Sequence, residues 1–140
     1  IGPNVSVTDA VREMNRRTIG SLLVVEQGAL LGIFTERDVL VRVVAVRGNP
    51  DSTLVREAMT ANPLTVEPSL TVEDAMLAVT RHRCRHLPVV AHGRIHGLVS
   101  IGDLTRWLVR DREHEIDDLR QYINGTQEHQ VQKDQQHGIY

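Results

Sequence analysis

At 140 residues, with 41% hydrophobic and 24% charged residues, the chain has ordinary globular usage, which excludes a disordered or fibrous class. It is long enough for one compact domain, or for two small ones that share a core. Aromatics at 3% supply no platform for stacking bases, and a formal net charge of −2 lacks the basic face of a phosphate-backbone binder, so no nucleic-acid partner is expected.

In chain order, Thr8 is placed to cap a helix whose apolar face is Ala10, Val11 and Met14. Leu22-Leu23-Val24-Val25 is a continuous apolar run, as expected of a strand buried on both faces. Glu26-Gln27-Gly28 supplies a turn, and Leu30 to Phe34 forms the return strand of a hairpin. A second helix is predicted after Thr35, through Val39, Leu40, Val43 and Val44 to a stop at Gly48. Asn49-Pro50-Asp51-Ser52 reads as a turn and Thr53 to Met59 as a short helix.

The series then starts again. Val7-Thr8-Asp9-Ala10-Val11 resembles Val72-Glu73-Asp74-Ala75-Met76, an offset of 72 − 7 = 65 that holds without a gap. Gly28 matches Gly93, Gly32 matches Gly97 and Asp38 matches Asp103. From Pro3 to Asp38 there are 11 identities in 36 positions, where chance gives about two, so the chain is a duplication. The second copy has Ala75, Met76 and Val79 on its helix, the strand Leu87-Pro88-Val89-Val90, the turn Ala91-His92-Gly93 and the return strand Ile95 to Val99. Its closing helix, after Ser100, looks longer. Leu104, Leu108, Ile116, Leu119 and Ile123 recur at helical spacing as far as Asn124-Gly125, read as a stop, and the Gln-rich remainder reads as a polar tail.

Each copy closes on a phrase of one type, Gly-Ile-Phe-Thr35-Glu-Arg-Asp38 and Gly-Leu-Val-Ser100-Ile-Gly-Asp103. With Arg85-His86-Leu87-Pro88-Val89-Val90 and the ending Asp118-Leu119-Arg120-Gln121-Tyr122-Ile123-Asn124-Gly125, the chain resembles bacterial tandem CBS-domain pairs over Ile1 to Gly125. The resemblance implies an α+β fold of two pseudo-symmetric helix, β-hairpin, helix units. The corresponding division is a first CBS domain at 1–48 with its N-terminal strand truncated, a linker at 49–61, a second CBS domain at 62–109, an extended helix at 110–125 and a tail at 126–140. It also implies a homodimer whose clefts take an adenine nucleotide (AMP, ADP or ATP) as a regulatory, energy-sensing ligand, with no catalytic cofactor and with the regulated target on another chain.

The chemistry of the closing phrases fits that ligand. Thr35 stands where an N-cap belongs, so its hydroxyl and the free amides of the first turn can face a ligand. Asp38, three residues in, can accept hydrogen bonds from both vicinal hydroxyls of a ribose. The plainer alternative is that Thr35 and Asp38 only cap the helix. Repetition at Ser100 and Asp103 favours the ribose clamp. Phosphates need cations, and here the copies differ: Arg85 and His86 precede the strand of the second copy, where the first has Gly20 and Ser21. Where nucleotide-binding members of the family place phosphate-contacting basic residues, this chain matches only at Arg85-His86. Arg37, beside Asp38, is a further candidate.

In this family the adenine pocket joins the strand entering one copy to the Asp of the other. For Asp38 that strand is Asn62-Pro63-Leu64-Thr65-Val66, with Leu64 and Thr65 lining the base. For Asp103 the equivalent of Thr65 falls at 65 − 65 = 0, just before Ile1, so Asp38 with Thr65 is the better-furnished pocket. The chain opens without a methionine and without a signal peptide, so a preceding piece is expected. Cys84 can form no internal disulfide and no apolar run approaches the ~18 residues that span a bilayer, so a cytoplasmic location and no membrane partner are expected.

Two rival readings compete with this one. His82, Cys84 and His86 alternate as on one face of a strand, with His92 or His96 nearby, but structural zinc wants four ligands and Cys84 aligns with the apolar Ile19. The other rival is a scaffold or dimerisation module without a ligand, or one that takes S-adenosylmethionine or NAD(H). No nucleophile elbow or P-loop is present, so an enzyme is not expected.

Overall fold

The computed structural model describes the backbone of residues 1–136 and the side chains of residues 1–121. It is α+β, with small antiparallel sheets and a long C-terminal helix, as the sequence predicts. The first copy contributes α1 (Val7–Arg17), β1 (Ser21–Glu26), β2 (Ala29–Thr35) and α2 (Glu36–Val39). The connection holds α3 (Val55–Ala58) and β3 (Thr60–Ala61). The second copy contributes α4 (Val72–His82), β4 (His86–Ala91), β5 (Arg94–Ser100) and α5 (Ile101–Gln136).

The duplication is visible bond by bond. β1 pairs with β2 from Ser21↔Thr35 to Glu26↔Ala29, and β4 pairs with β5 from His86↔Ser100 to Ala91↔Arg94, each with a register shift at the same place. Both hairpins turn on two residues of positive φ, Gln27-Gly28 and His92-Gly93, the geometry whose twist matches that of paired strands. Ile1 donates to the Leu23 carbonyl at 3.0 Å and accepts from the Val25 amide at 2.9 Å. Val66, 65 residues on, accepts from the Val90 amide at 2.8 Å and donates to the Pro88 carbonyl at 3.0 Å. Ile1 therefore sits beside β1 as Val66 sits beside β4.

The first copy owns the larger core. Val7, Ala10 and Met14 of α1 meet Val24, Phe34, Val43, Val55 and Ala58 in one buried cluster. The connecting helix belongs to it because α3 is tied back to the start of the chain, with the Val55 and Arg56 amides donating to the Val5 and Pro3 carbonyls. Burial of side chains of this size stabilises by roughly 1.5–3 kcal/mol each.

Several local expectations are corrected. The cap of α1 is Ser6, not Thr8, because the Ser6 hydroxyl accepts from the Asp9 amide at 3.1 Å; Thr8 lies inside the helix and donates to Asp51 at 2.5 Å. The equivalent Thr71 caps α4 in the same way. The helix after Thr35 does not run regularly to Gly48. One α-turn is followed by a π-turn over Leu40–Val44, closed by the Ala45 amide on the Leu40 carbonyl, and the Gly48 amide then caps the Val43 carbonyl. The short helix expected at Thr53 to Met59 spans only Val55–Ala58. His82, Cys84 and His86 share no strand, since His82 ends α4, Arg83 turns the chain at φ 51° and His86 begins β4. Asn124-Gly125 does not stop α5, which continues to Gln136. The Gln, Glu and Lys that come after are good helix formers, and their summed propensity outweighs the ~1 kcal/mol cost of one glycine. The Ile123 side chain and residues 137–140 lie outside the described residues.

By contacts the chain divides into two compact units, Ile1–Ile101 and Gly102–Tyr140. The first holds both hairpins, and within it β2 and β5 approach each other. In the second, the side chains of Trp107, Val109, Ile116 and Leu119 are exposed. Among the described residues no helix is long and apolar enough to cross a membrane.

Candidate functional site

Asp38 is the buried carboxylate of the first copy, 8% exposed. β2 delivers Thr35 in extended conformation, and the chain turns into α2 there because a reciprocal capping box closes. The Asp38 amide donates to the Thr35 hydroxyl oxygen at 3.3 Å, while the Thr35 amide and hydroxyl donate to Asp38 Oδ2 at 2.9 and 2.7 Å. Asp38 thus completes the helix cap and keeps its second carboxylate oxygen for partners outside the box.

The second oxygen, Oδ1, faces the connection between the copies. It accepts from the Thr60 hydroxyl at 3.3 Å and pairs with Arg42 Nε at 3.6 Å. Both contacts are long for hydrogen bonds to a carboxylate, which run at about 2.7–2.9 Å when fully formed. Arg42 Nη1 also donates to the Met59 and Ala58 carbonyls, the latter at 3.3 Å, and Nη2 to the Thr60 hydroxyl at 3.4 Å. The connection comes close because Gly32 lets it: a Cβ there would stand 2.6 Å from Met59 Sδ and 2.7 Å from the Thr60 carbonyl oxygen.

Neither Arg42 nor Thr60 was singled out from the sequence. The i, i+4 spacing of Asp38 and Arg42 on a helix was a readable signal for an ion pair. Thr60 carried none, because it reaches Asp38 only through the pairing of β3 with β2, Gly32↔Ala61 and Ile33↔Thr60.

The other sequence-predicted residues are spread over both copies. Arg37 is exposed beside Asp38. Leu64 and Thr65 are exposed, and Thr65 lines an open hollow of about 400 Å³ with Val66, Glu67, Ser69, Leu70, Thr71 and Asp74. The residue of the connection that hydrogen-bonds Asp38 is Thr60. Ser21 is buried, 6% exposed. The Gly20 carbonyl accepts from the Glu36 amide at 3.1 Å, and the Glu36 carboxylate folds back to 3.2 Å from where a Gly20 Cβ would be. In the second copy the Arg85 carbonyl accepts from the Ile101 amide at 2.8 Å. The same junction therefore carries Gly20 and a carboxylate in one copy, and an exposed guanidinium and an isoleucine in the other. His86 is half-buried and opens β4 opposite Ser100, which ends β5. Asp103, on α5, is paired with Arg106 at 3.3 Å, with 52% of its side chain exposed. Among the described residues no group of three or more His, Cys, Asp or Glu is arranged to hold a metal.

The fold is thus a duplicated hairpin unit with a Ser or Thr and an Asp at the head of each closing helix, and the comparisons give it a family. The CBS-domain family model matches residues 1–45 and 55–110. The chain belongs to the CBS-domain family as a tandem pair. It is 40% identical over 125 residues to the mitochondrial CBS domain-containing protein CBSX3 of Arabidopsis thaliana, covering 86% of this chain and 61% of that protein's length. Its structure resembles that of a protein with CBS domains from Burkholderia ambifaria, with TM-score 0.76 and 43% identity over 79% of this chain and 81% of the other. It also resembles the hexameric CBS-CP12 protein from bloom-forming cyanobacteria, with TM-score 0.68 and 30% identity over 75% of this chain and 62% of the other. CBS-domain proteins are in general regulatory or sensor modules.

Proposed function

We propose that this CBS pair is a non-catalytic regulatory module that binds an adenine nucleotide, AMP, ADP or ATP, at Asp38, and signals through the shape of a homodimer. The observation that carries the reading is the buried Asp38 carboxylate, with Oδ2 fixed by Thr35 and Oδ1 held only by the two long contacts to Thr60 and Arg42. A ribose diol at ordinary hydrogen-bond length is a stronger partner for Oδ1 than either. Leu64 and Thr65, exposed a few residues beyond Thr60, are assigned to the base. Phosphates are assigned to Arg85 and His86, with Arg37 as an additional cation, because the Gly20 and Ser21 side carries the Glu36 carboxylate. Ser100 and Asp103 form the second, weaker ribose clamp.

Dimerisation is assigned to the closing helices. Leu40, Val41 and Val44 are more than half exposed on the π-turn, and Ile116 and Leu119 are exposed on α5. A small chain gains stability by covering such faces, and the cyanobacterial relative is a hexamer. The regulated target lies on another chain, and the location is cytoplasmic.

The test is a thermal-shift and titration panel of AMP, ADP, ATP, NADH and S-adenosylmethionine on the full chain, with light scattering for its assembly state. Saturating AMP or ATP at a hundredfold excess over Kd adds about 2.7 kcal/mol of stability. The 2′-deoxy forms bind more weakly because one hydroxyl to Asp38 is gone. No shift with any ligand supports instead a scaffold module, the reading favoured by the exposed apolar faces. A shift with NADH or S-adenosylmethionine alone moves the ligand class but keeps the site. A monomer at micromolar concentration rejects the dimer.

A further inference from the structure

We infer that Arg42 is a latch that ties the connection between the two CBS copies to Asp38, and that a ribose taken up by Asp38 releases it. The latch rests on the proposed use of Asp38 only in its second half; the first half concerns the chain alone.

The guanidinium of Arg42 is shared between Asp38 and the connection, which Thr60 also joins directly through its hydroxyl. On one side it meets Asp38 Oδ1 at 3.6 Å. On the other it donates to the Ala58 and Met59 carbonyls and to the Thr60 hydroxyl. The connection is anchored upstream through α3, but at Thr60–Ala61 the strand β3 has only two residues, and a two-pair ladder is a weak hold there. Gly32 admits the segment to van der Waals contact but supplies no side chain to hold it. Four residues after Ala61 the chain reaches Thr65, so slack at Thr60 passes into the segment 62–66, which forms no strand but only the bridge of Val66 to Val89.

The duplicate shows that this arrangement is not demanded by the fold. At the position 65 residues after Arg42 stands Trp107, and a Cβ at Gly97 would meet nothing within 4 Å, in contrast to Gly32. The latch is thus a feature of one copy. A diol that hydrogen-bonds Oδ1 competes with both Thr60 and Arg42 for one acceptor, and the loss of a shared charge partner loosens the guanidinium from the connection.

Hydrogen exchange on the full chain tests this, with Arg42→Ala and the milder Arg42→Lys and Thr60→Val as variants. Without nucleotide, the amides of residues 60–62, among them the Asn62 amide on the Leu31 carbonyl, exchange about tenfold faster in Arg42→Ala while those of α1 and α4 do not change. Arg42→Lys, which keeps the charge but not the fork, falls between. Unchanged exchange at 60–62 in Arg42→Lys and Arg42→Ala overturns the latch. If Arg42→Ala accelerates every amide, the comparison of Arg42→Lys with Thr60→Val decides, since acceleration confined to 60–62 supports the latch and its absence overturns it. Adenosine, which has the diol and no phosphate, is the probe for release. It speeds exchange at 60–62 in the wild-type chain and binds Arg42→Ala about fivefold tighter, because a competitor for Oδ1 is gone. Weaker binding to Arg42→Ala makes Arg42 a ligand contact and overturns release. If adenosine and the nucleotides fail to bind the wild-type chain, the proposed function and release fall together, while the tie to the connection is still decided by exchange without ligand.

Discussion

The two copies share a register to the residue, yet Asp38 and Asp103 live in different surroundings. Asp38 is enclosed between its capping threonine, a threonine of the connection and an arginine one helical turn on. Asp103 is half exposed at the head of a 36-residue helix, with Arg106 beside it. The difference comes from the path of the chain beyond each unit. After the first, the chain turns sharply through a π-turn and returns as β3 against Gly32. After the second it runs on as helix. A duplicated sequence repeats the bonds inside each unit, whereas the connection, present once, makes the sites unequal.

The largest expected effect breaks the comparison at its glycines. Gly32→Ala drives a Cβ into Met59 Sδ and the Thr60 carbonyl, and because the second neighbour is backbone the sheet must shift. A loss of about 2–3 kcal/mol in urea denaturation is expected for Gly32→Ala. Gly97→Ala meets open space and is expected to change stability by no more than about 0.5 kcal/mol. Equal losses would mean that the close approach of β3 does not distinguish the copies.

A smaller effect separates the aspartates. Asp38→Asn weakens AMP binding by about 1–3 kcal/mol in calorimetry, and Asp103→Asn by less. Asn serves better than Ala here, because Asp38→Ala also removes half of a capping box and costs roughly 0.5–2 kcal/mol of stability on its own. Equal weakening by both Asn variants would make the two sites equivalent.

The smallest effect lies between α1 and α4. Glu13 is held down from its ordinary 4.5 to about 2 by hydrogen bonds from Arg16 and Arg17, whereas the equivalent residue of α4 is Ala78. A carboxylate depressed in the folded state adds stability that is fully present above about pH 4.5 and is lost as pH falls through about 2. Glu13 is part-exposed and its arginine partners lie open to solvent, so the contribution is small and screened by salt. Acid titrations of the wild type and Glu13→Gln should diverge between pH 4.5 and 2 at low salt and converge at high salt. Superimposable curves at low salt would remove the ion pairs from the balance.

The sequence was most legible where structure is local. The strands, the two-residue turns, the Thr35 and Asp38 cap and the order of elements come from apolar runs, glycine placement and side chain to backbone bonds within a few residues. It misled where two local rules competed. Thr8 and Ser6 are both good caps, and contacts far along the chain decide between them: Val7 is buried in the core, and the Val7 and Thr8 amides donate to the Thr53 and Pro50 carbonyls. Asn124-Gly125 is a sound stop in isolation but sits inside a run that stays helical.

By itself the sequence determined the duplication, the α+β hairpin units and the placing of an aspartate at the head of each closing helix, because each depends on periodicity or on partners three or four residues apart. Only the tertiary structure decided that Asp38 is buried and Asp103 exposed, that Arg42 and Thr60 meet on the same carboxylate oxygen, and that Glu36 fills the space beside Gly20. Those relations depend on a connection returning across a sheet, and no rule of spacing along the chain encodes where it lands.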